Sequence, residues 1–329
     1  MRKLRWGVMS TAQIGINAVI PAMRGCSNVE VVAIASRELG KARSAARKLR
    51  IPKAYGSYEE LLADPEIEAI YNPLPNHLHV PWSIRALEAG KHVLCEKPIA
   101  MNAGEATHLL EAARHFPALK VMEAFMYRFH PQWTTIADLV GQGGIGTIKT
   151  AHSIFSYYNI NPADVRNIAE MGGGGLLDIG CYCISASRLI FGAEPRRVFG
   201  IVEFDPKFKT DRMVSGILDF GEGTATFTCG TQMVPAQRFE VFGNEGRLNI
   251  EKPFTPSSSR PPRLRLQRDG ETQDLKTVKR NQYTVMAERF SQAAVDGTPV
   301  PTPLEDALAN MRAIDAVFKS GETGRWVEL

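Results

Sequence analysis

Through its first 123 residues the chain alternates short apolar runs, rich in β-branched side chains, with amphipathic segments of helical length. Few folds can use that pattern. Leu4 to Met9, Val29 to Ala35, Glu68 to Asn72, His92 to Leu94 and Leu119 to Glu123 are among the strand signals. The helical segments between them carry their own punctuation. Ser57-Tyr58-Glu59-Glu60 is a capping box stopped by Asp64-Pro65, Gly90 suits a left-handed helix end, and Asn102 with Glu105 three residues on opens another helix. Six strands alternating with helices predict an α/β fold with a doubly wound parallel sheet. Such sheets bind ligands beyond the carboxyl ends of their strands. That rule singles out Cys95-Glu96-Lys97-Pro98, which follows the strand at His92 to Leu94 and carries a lysine toward the crevice end of the sheet.

The ends of the first two strands point the same way. After Met9 comes Ser10-Thr11-Ala12-Gln13-Ile14-Gly15, where a dinucleotide fingerprint belongs. That fingerprint needs small residues so that backbone can approach a pyrophosphate held at a helix N-terminus. Ser10 and Ala12 stand in place of two of its glycines, only Gly15 remains, and taken alone the stretch suits a plain strand-turn-helix better. The second strand ends in Ser36-Arg37, with Lys41 one helical turn on, where an NAD enzyme carries an acidic residue for the ribose hydroxyls. A hydroxyl and a guanidinium suit a 2′-phosphate, so these residues favour NADP over NAD, with NAD still possible. The alternative for Arg37 and Lys41 is a pair of solvated charges at a helix start.

Length sets the division. A chain of 329 residues is long for one core, and two domains are expected, a nucleotide-binding one over 1–123 and a second over 124–329. Hydrophobic content of 44% and charged content of 22% suit a globular chain, and the sequence suggests no membrane span. The basic start, Met1 to Gly7, runs into a strand pattern without an export signal. Five scattered cysteines (Cys26, Cys95, Cys181, Cys183, Cys229) argue against a disulfide framework and for a reducing, cytoplasmic setting. The net charge of +4 is modest. The basic residues between Arg260 and Arg280 are broken by Asp269, Glu271 and Asp274 and lack aromatic companions. They indicate a solvated face, so no nucleic-acid partner is expected.

The second half holds one stretch of comparable weight, Gly172-Gly173-Gly174-Gly175-Leu176-Leu177-Asp178-Ile179-Gly180-Cys181-Tyr182. Four glycines let backbone pass close to a ligand. A helix from about Leu176 to Ile190 would put Asp178 and Tyr182, four residues apart, on one face. Equally, Asp178 could be a helix cap and Tyr182 a core aromatic. Cys181-x-Cys183 with His77-x-His79 lacks zinc-site spacing, so no metal is expected. His130 is either a turn residue before Pro131 or a side chain facing the substrate. Beyond Gly192 the period is that of strands. Met213 to Asp219 turns through Gly221-Glu222-Gly223 into Thr224 to Cys229, and Arg238 to Gly243 and Arg247 to Ile250 continue an antiparallel sheet. Pro253 to Pro262, rich in Ser and Pro, is expected to be a mobile loop, and two amphipathic helices, one carrying Tyr283, Met286 and Phe290, finish the chain.

The series Ser10 to Gly15, Pro75-Asn76-His77, Glu96-Lys97-Pro98 and Glu123-Ala124-Phe125-Met126-Tyr127-Arg128-Phe129-His130-Pro131 resembles the glucose–fructose oxidoreductase/inositol dehydrogenase (Gfo/Idh/MocA) family. The resemblance implies a Rossmann domain followed by an α+β domain with a large, mostly antiparallel open sheet, whose free face would join copies into a homodimer or homotetramer. It also implies that Ser10, Thr11, Ala12, Gln13, Ile14, Ser36, Arg37, Lys41, Pro73, Leu74, Asn76, His77, Glu96 and Lys97 surround the cofactor, with Lys97 between nicotinamide and substrate. A cis peptide before Pro98 is expected. Tyr182 stands where the inositol branch has histidine. In this the chain is similar to the NADP-dependent D-xylose dehydrogenases and the dihydrodiol dehydrogenases.

The implied reaction is hydride transfer between NADP and a carbinol carbon of a sugar-like substrate. Tyr182 would handle the hydroxyl proton with help from the Lys97 ammonium. Asp178 would bind a substrate hydroxyl, and Tyr127 and Arg128 would line the pocket. A trans-dihydrodiol dehydrogenase and a non-catalytic NADP-binding regulator of the same fold are the alternatives.

Overall fold

The computed structural model describes residues 2–257 and 259–329. The first sheet contains β1 (Leu4–Met9), β2 (Val29–Ala35), β3 (Lys53–Tyr55), β4 (Ala69–Asn72), β5 (His92–Cys95) and β6 (Val121–Glu123), in the order β3-β2-β1-β4-β5-β6. Every pairing is parallel. It is the doubly wound sheet expected. Its strands are apolar because both faces are covered: Trp6, Val8, Ile34, Ile70, Val93 and Leu94 are all excluded from solvent. Both predicted caps form. Ser57 Oγ accepts from the Glu60 N–H at 3.1 Å, and Asn102 Oδ1 accepts from the Glu105 N–H at 2.9 Å. Gly90 closes its helix at φ +74°.

The second sheet contains nine strands. They are β7 (Ile148–Tyr158), β8 (Arg197–Phe204), β9 (Asp211–Asp219), β10 (Thr224–Gly230), β11 (Gln232–Gly243), β12 (Gly246–Ile250), β13 (Leu264–Arg268), β14 (Glu271–Leu275) and β15 (Val327–Glu328). Their order is β14-β13-β12-β11-β7-β10-β9-β8-β15, antiparallel except where β7 runs parallel to β10. The expected hairpin is β9 to β10, with Asp219 opposite Thr224. The basic stretch near 260–280 contains a largely exposed hairpin, β13 to β14, in keeping with the solvated face expected there. One expectation is corrected here. The loop after Pro253 is firmly rooted: Phe254 is fully buried, and the Pro253 carbonyl accepts from Trp133 Nε1 at 2.8 Å and Gln132 Nε2 at 2.9 Å.

By packing, the chain forms two compact units that are not simple halves. The first runs from the N-terminus through Phe129 and takes back Asn281–Leu308, and the second holds His130–Arg280 and Ala309–Leu329. Sequence placed a single division after residue 123. The physical reason for the difference is the helix Gln282–Asp296, which buries Val285, Met286 and Phe290. Phe290 lies 5.3 Å from the Trp6 ring, Trp6 Nε1 donates to Ser291 Oγ at 3.2 Å, and Asn28 Nδ2 donates to the Glu288 carbonyl at 2.9 Å. The helix completes the first core.

One helical run, Ala169–Phe191, has the length and mean hydropathy (1.2) to cross a membrane, whereas the sequence suggested no such stretch. It is 83% buried within the protein, and that burial accounts for its apolar composition.

Candidate functional site

In the first unit the predicted residues gather where the sheet order reverses, between β1 and β4. Loops leaving neighbouring strands in opposite directions open a crevice at such a point. Ser10, directly after β1, adopts φ +75°, and its Oγ accepts from the Ala12 N–H at 3.2 Å, turning the chain into the helical run that follows. Gln13 and Ile14 are exposed there, Ile14 at 37%. At the end of β2, Ser36 is buried and accepts from the Glu38 N–H, while Arg37 is exposed beside the Tyr58 phenol. Lys41 pairs with Glu38 at 2.6 Å, an exposed contact that contributes little.

On the other side, the loop after β4 buries Pro73 and Leu74 and leaves Asn76 and His77 partly open. His77 Nδ1 is buried without a hydrogen-bond partner, an orphaned polar atom of the kind a bound group satisfies. Next to this loop, Tyr71 donates its hydroxyl to Glu96 Oε1 at 2.7 Å, fixing the residue before Lys97. The Lys97–Pro98 peptide is cis, as expected.

Sequence reasoning had noticed His79 only as half of a metal pattern. The structure gives it another place. Its Nδ1 lies 2.7 Å from the Pro98 carbonyl and its Nε2 lies 2.6 Å from the Leu74 carbonyl, so one buried ring sits between the two loops. Burial pushes its pKa down to about 4, while the two carbonyls favour the protonated ring. Tyr127 is buried edge-on to Phe125, and Arg128 is bound by Asp306 through contacts of 3.0 and 3.3 Å.

In the second unit the glycine run is explained by close packing within the chain. A Cβ at Gly173 would lie 2.6 Å from the Arg166 carbonyl oxygen, and Gly174, at φ +120°, would put one 1.9 Å from Asp211 Oδ1. The helix beyond it opens with a π-turn, Leu176–Gly180, before the α-helix Cys181–Phe191. The predicted α-helix thus begins five residues later than expected, and Asp178 and Tyr182 have different surroundings. Asp178 Oδ2 accepts from the Tyr157 hydroxyl at 2.6 Å and from Arg166 Nε at 2.9 Å. Burial and the neighbouring carboxylate push the Tyr157 phenol far above its ordinary range, so it remains a proton donor. Tyr182, 4% exposed, has its ring 5.5 Å from Phe155 and 5.4 Å from Phe254.

Tyr157, Arg166 and Asp211 carried no signal in the sequence. They reach Asp178 and its helix from the end of β7, a 3-10 turn at Val165–Asn167 and the start of β9. Asp211 is buried, and burial lifts its carboxyl to about 7 against the backbone N–H groups it accepts from. His130 accepts from the Gln132 N–H at 3.2 Å and caps the helix Pro131–Gly141. Among the described residues no group of three or more His, Cys, Asp or Glu side chains could hold a metal ion.

Residues 4–123 match the sequence pattern described as the oxidoreductase family with an NAD-binding Rossmann fold, GFO/IDH/MocA, and residues 133–249 match the GFO/IDH/MocA C-terminal domain. An uncharacterized oxidoreductase of Rhizobium meliloti is 43% identical over 99% of each chain. The chain belongs to the GFO/IDH/MocA oxidoreductase family. Within that family, the NADP(+)-dependent D-xylose 1-dehydrogenase 2 of Haloferax volcanii is 36% identical, covering 99% of this chain and 100% of its own. Among solved structures, KijD10, a 3-ketoreductase from Actinomadura kijaniata in complex with NADP and TDP-benzene, superimposes with a TM-score of 0.92 at 32% identity, covering 97% of this chain and 98% of its own. Both GFO/IDH/MocA relatives carry names for chemistry at a hydroxyl or keto carbon.

Proposed function

We propose that the protein is an NADP-dependent oxidoreductase that moves a hydride between the nicotinamide and a carbinol carbon of a sugar or related cyclic polyol. The observation that carries this is the anchoring of Lys97. It lies two residues past the end of β5, after Glu96, which Tyr71 holds, and before Pro98, whose carbonyl lies beside the His79 ring. A cation so placed at the carboxyl end of a doubly wound sheet is positioned for chemistry on a bound dinucleotide.

The residues fit NADP. Ser10, Thr11, Ala12, Gln13 and Ile14 offer a turned backbone and an exposed apolar side chain, and His77 offers a buried nitrogen without a partner. Arg37, exposed at the end of β2, would hold the 2′-phosphate. When bound, the cofactor supplies or accepts the hydride.

Tyr182 takes the hydroxyl proton in oxidation and returns it in reduction. A phenol of ordinary pKa near ~10 needs a neighbouring ammonium for that task, and Lys97 is assigned to it. Asp178, aligned by Tyr157 and Arg166, accepts a hydrogen bond from a substrate hydroxyl and fixes its register. The names of the relatives, one a D-xylose dehydrogenase and one a ketoreductase bound to a TDP compound, support a sugar-like substrate in either direction of reaction.

The same proposal places the protein in the cytoplasm as a homodimer or homotetramer. The free face of the second sheet carries Ile154, Phe199, Ile201 and Ile217 around a cavity of about 480 Å³, and a second copy would cover it. Light scattering in solution tests that assembly.

Titration with NADPH and NADH, followed at the nicotinamide absorbance band while aldoses, ketoses, inositols and a dihydrodiol are added, tests the function. Tight NADPH binding with oxidation or reduction of a sugar is expected. Turnover confined to the dihydrodiol, or binding with no turnover at all, would refute the sugar assignment.

A further inference from the structure

Asp211 is 2% exposed and belongs to none of the groups assigned so far to cofactor or substrate. It opens β9, and its side chain turns toward the start of the helical run that carries Asp178 and Tyr182. Oδ2 accepts from the Leu176 N–H at 2.6 Å, and the Gly175 N–H also donates to the carboxylate. Those N–H groups are ones an isolated helix leaves unsatisfied at its N-terminus. A residue 35 positions away supplies what a local cap supplies elsewhere.

The contact leaves no room for variation. Gly174 adopts φ +120°, and any Cβ there would meet Asp211 Oδ1 at 1.9 Å. The same glycine donates its N–H to the Arg166 carbonyl at 2.9 Å, and Arg166 in turn holds Asp178. Asp178 N–H donates back to the Gly174 carbonyl at 3.2 Å. Helix start, Arg166 backbone and Asp178 therefore share one anchor. A buried polar group is costly unless it is hydrogen-bonded, and the Leu176 and Gly175 N–H groups supply those bonds to Asp211.

We infer that Asp211 is a positioning residue, a clamp on the Gly174-Gly175-Leu176 backbone that sets the placement of Asp178 and Tyr182 for the reaction. The inference rests on the proposed assignment of those two side chains to the substrate. Loss of the clamp lets the helix start shift, and a displacement near 1 Å at such a site costs about 10²-fold in rate.

The test compares Asp211→Asn, Asp211→Ala and Gly174→Ala in the full chain by three measurements: NADPH affinity, kcat and KM for the best substrate, and hydrogen exchange over residues 173–185. Asp211→Ala is expected to lower kcat/KM by about 10²-fold. Asp211→Asn, which keeps one acceptor oxygen, should recover part of that loss. Gly174→Ala, which would drive the carboxylate aside, should mimic Asp211→Ala. NADPH affinity should stay within about twofold, and exchange should rise over 173–185 while the rest of the second unit is unchanged.

A variant with a lowered Tm but wild-type kcat and KM would make Asp211 merely structural and overturn the inference. So would unchanged exchange over 173–185. If the wild-type protein turns over no sugar, the proposed function fails by itself, and the exchange measurement still decides whether the clamp exists. Should Asp211→Ala not fold, Asp211→Asn and Gly174→Ala carry the comparison.

Discussion

Tyr157→Phe removes one oxygen atom and asks whether Asp178 is held in place for the substrate. The phenol donates to Asp178 Oδ2 at 2.6 Å, a short bond to a charged acceptor in a partly buried setting. Hydrogen bonds to charged groups contribute about 1.5–3 kcal/mol, and their loss corresponds to roughly 10- to 150-fold in kcat/KM if the whole contribution is felt by the substrate. Arg166 Nε reaches the same oxygen at 2.9 Å, but its side chain is 46% exposed, so solvent weakens what it can replace.

The assay is steady-state kinetics under saturating NADPH for Tyr157→Phe, Asp178→Asn and the double variant. Once Asp178 is altered, losing the phenol should matter far less, so the two losses should fail to add by at least about 1 kcal/mol. KM for the substrate should rise, and NADPH affinity should not change. A Tyr157→Phe enzyme within twofold of wild type, with effects that add to those of Asp178→Asn, would refute the claim that this bond orients the carboxylate.

Three further outcomes are expected. Lys97→Met and Tyr182→Phe should each reduce turnover by roughly 10²–10⁴-fold while NADPH still binds, as loss of a proton-transfer group does, and normal turnover in both would end the mechanism. Arg37→Glu should weaken NADPH by about 10-fold or more and favour NADH, measured by fluorescence titration; an unchanged ratio would mean the 2′-phosphate is held elsewhere. Asp64 gives a pH dependence. Burial alone would raise its carboxyl, but the Lys53 ammonium, the Glu66 N–H and the Tyr55 hydroxyl bring it down to about 2. A folded pKa below the unfolded value of 3.8 favours the ionised carboxylate in the folded state. Its stabilisation is complete above about pH 4 and is lost as pH falls through about 2. Thermal melts of Asp64→Asn should therefore fall below wild type at pH 7, with the gap closing in acid; a gap independent of pH would refute the assignment.

The first sheet was legible because its signals are local. Every strand but β3, the half-exposed Lys53–Tyr55, is a short apolar run, each cap such as Ser57 or Asn102 lies within three residues of its partner, and the lysine after β5 announces itself by position. The second unit was legible only in pieces. Asp178 could be picked from its motif, but Tyr157 and Arg166 meet it from 21 and 12 residues away, Asp211 meets Leu176 from 35, and no periodicity encodes such meetings. The π-turn at Leu176–Gly180 was also hidden, since five residues are too few to show a period other than 3.6. The stripe Val285, Met286 and Phe290 told that a helix buries one face without telling which core receives it.

That last helix has a consequence for biosynthesis. Trp6 leaves the ribosome near the beginning of translation, yet its hydrogen-bond partner, Ser291, lies 285 residues later. At about 5–20 residues per second, roughly 15 to 60 s separate the two. Throughout that interval the nascent nucleotide-binding unit lacks one wall, and its tryptophan face is open to chaperones and to neighbouring chains. Cutting the gene after the sixth strand would make that exposure permanent, so a fragment ending there should be recovered mainly as aggregate.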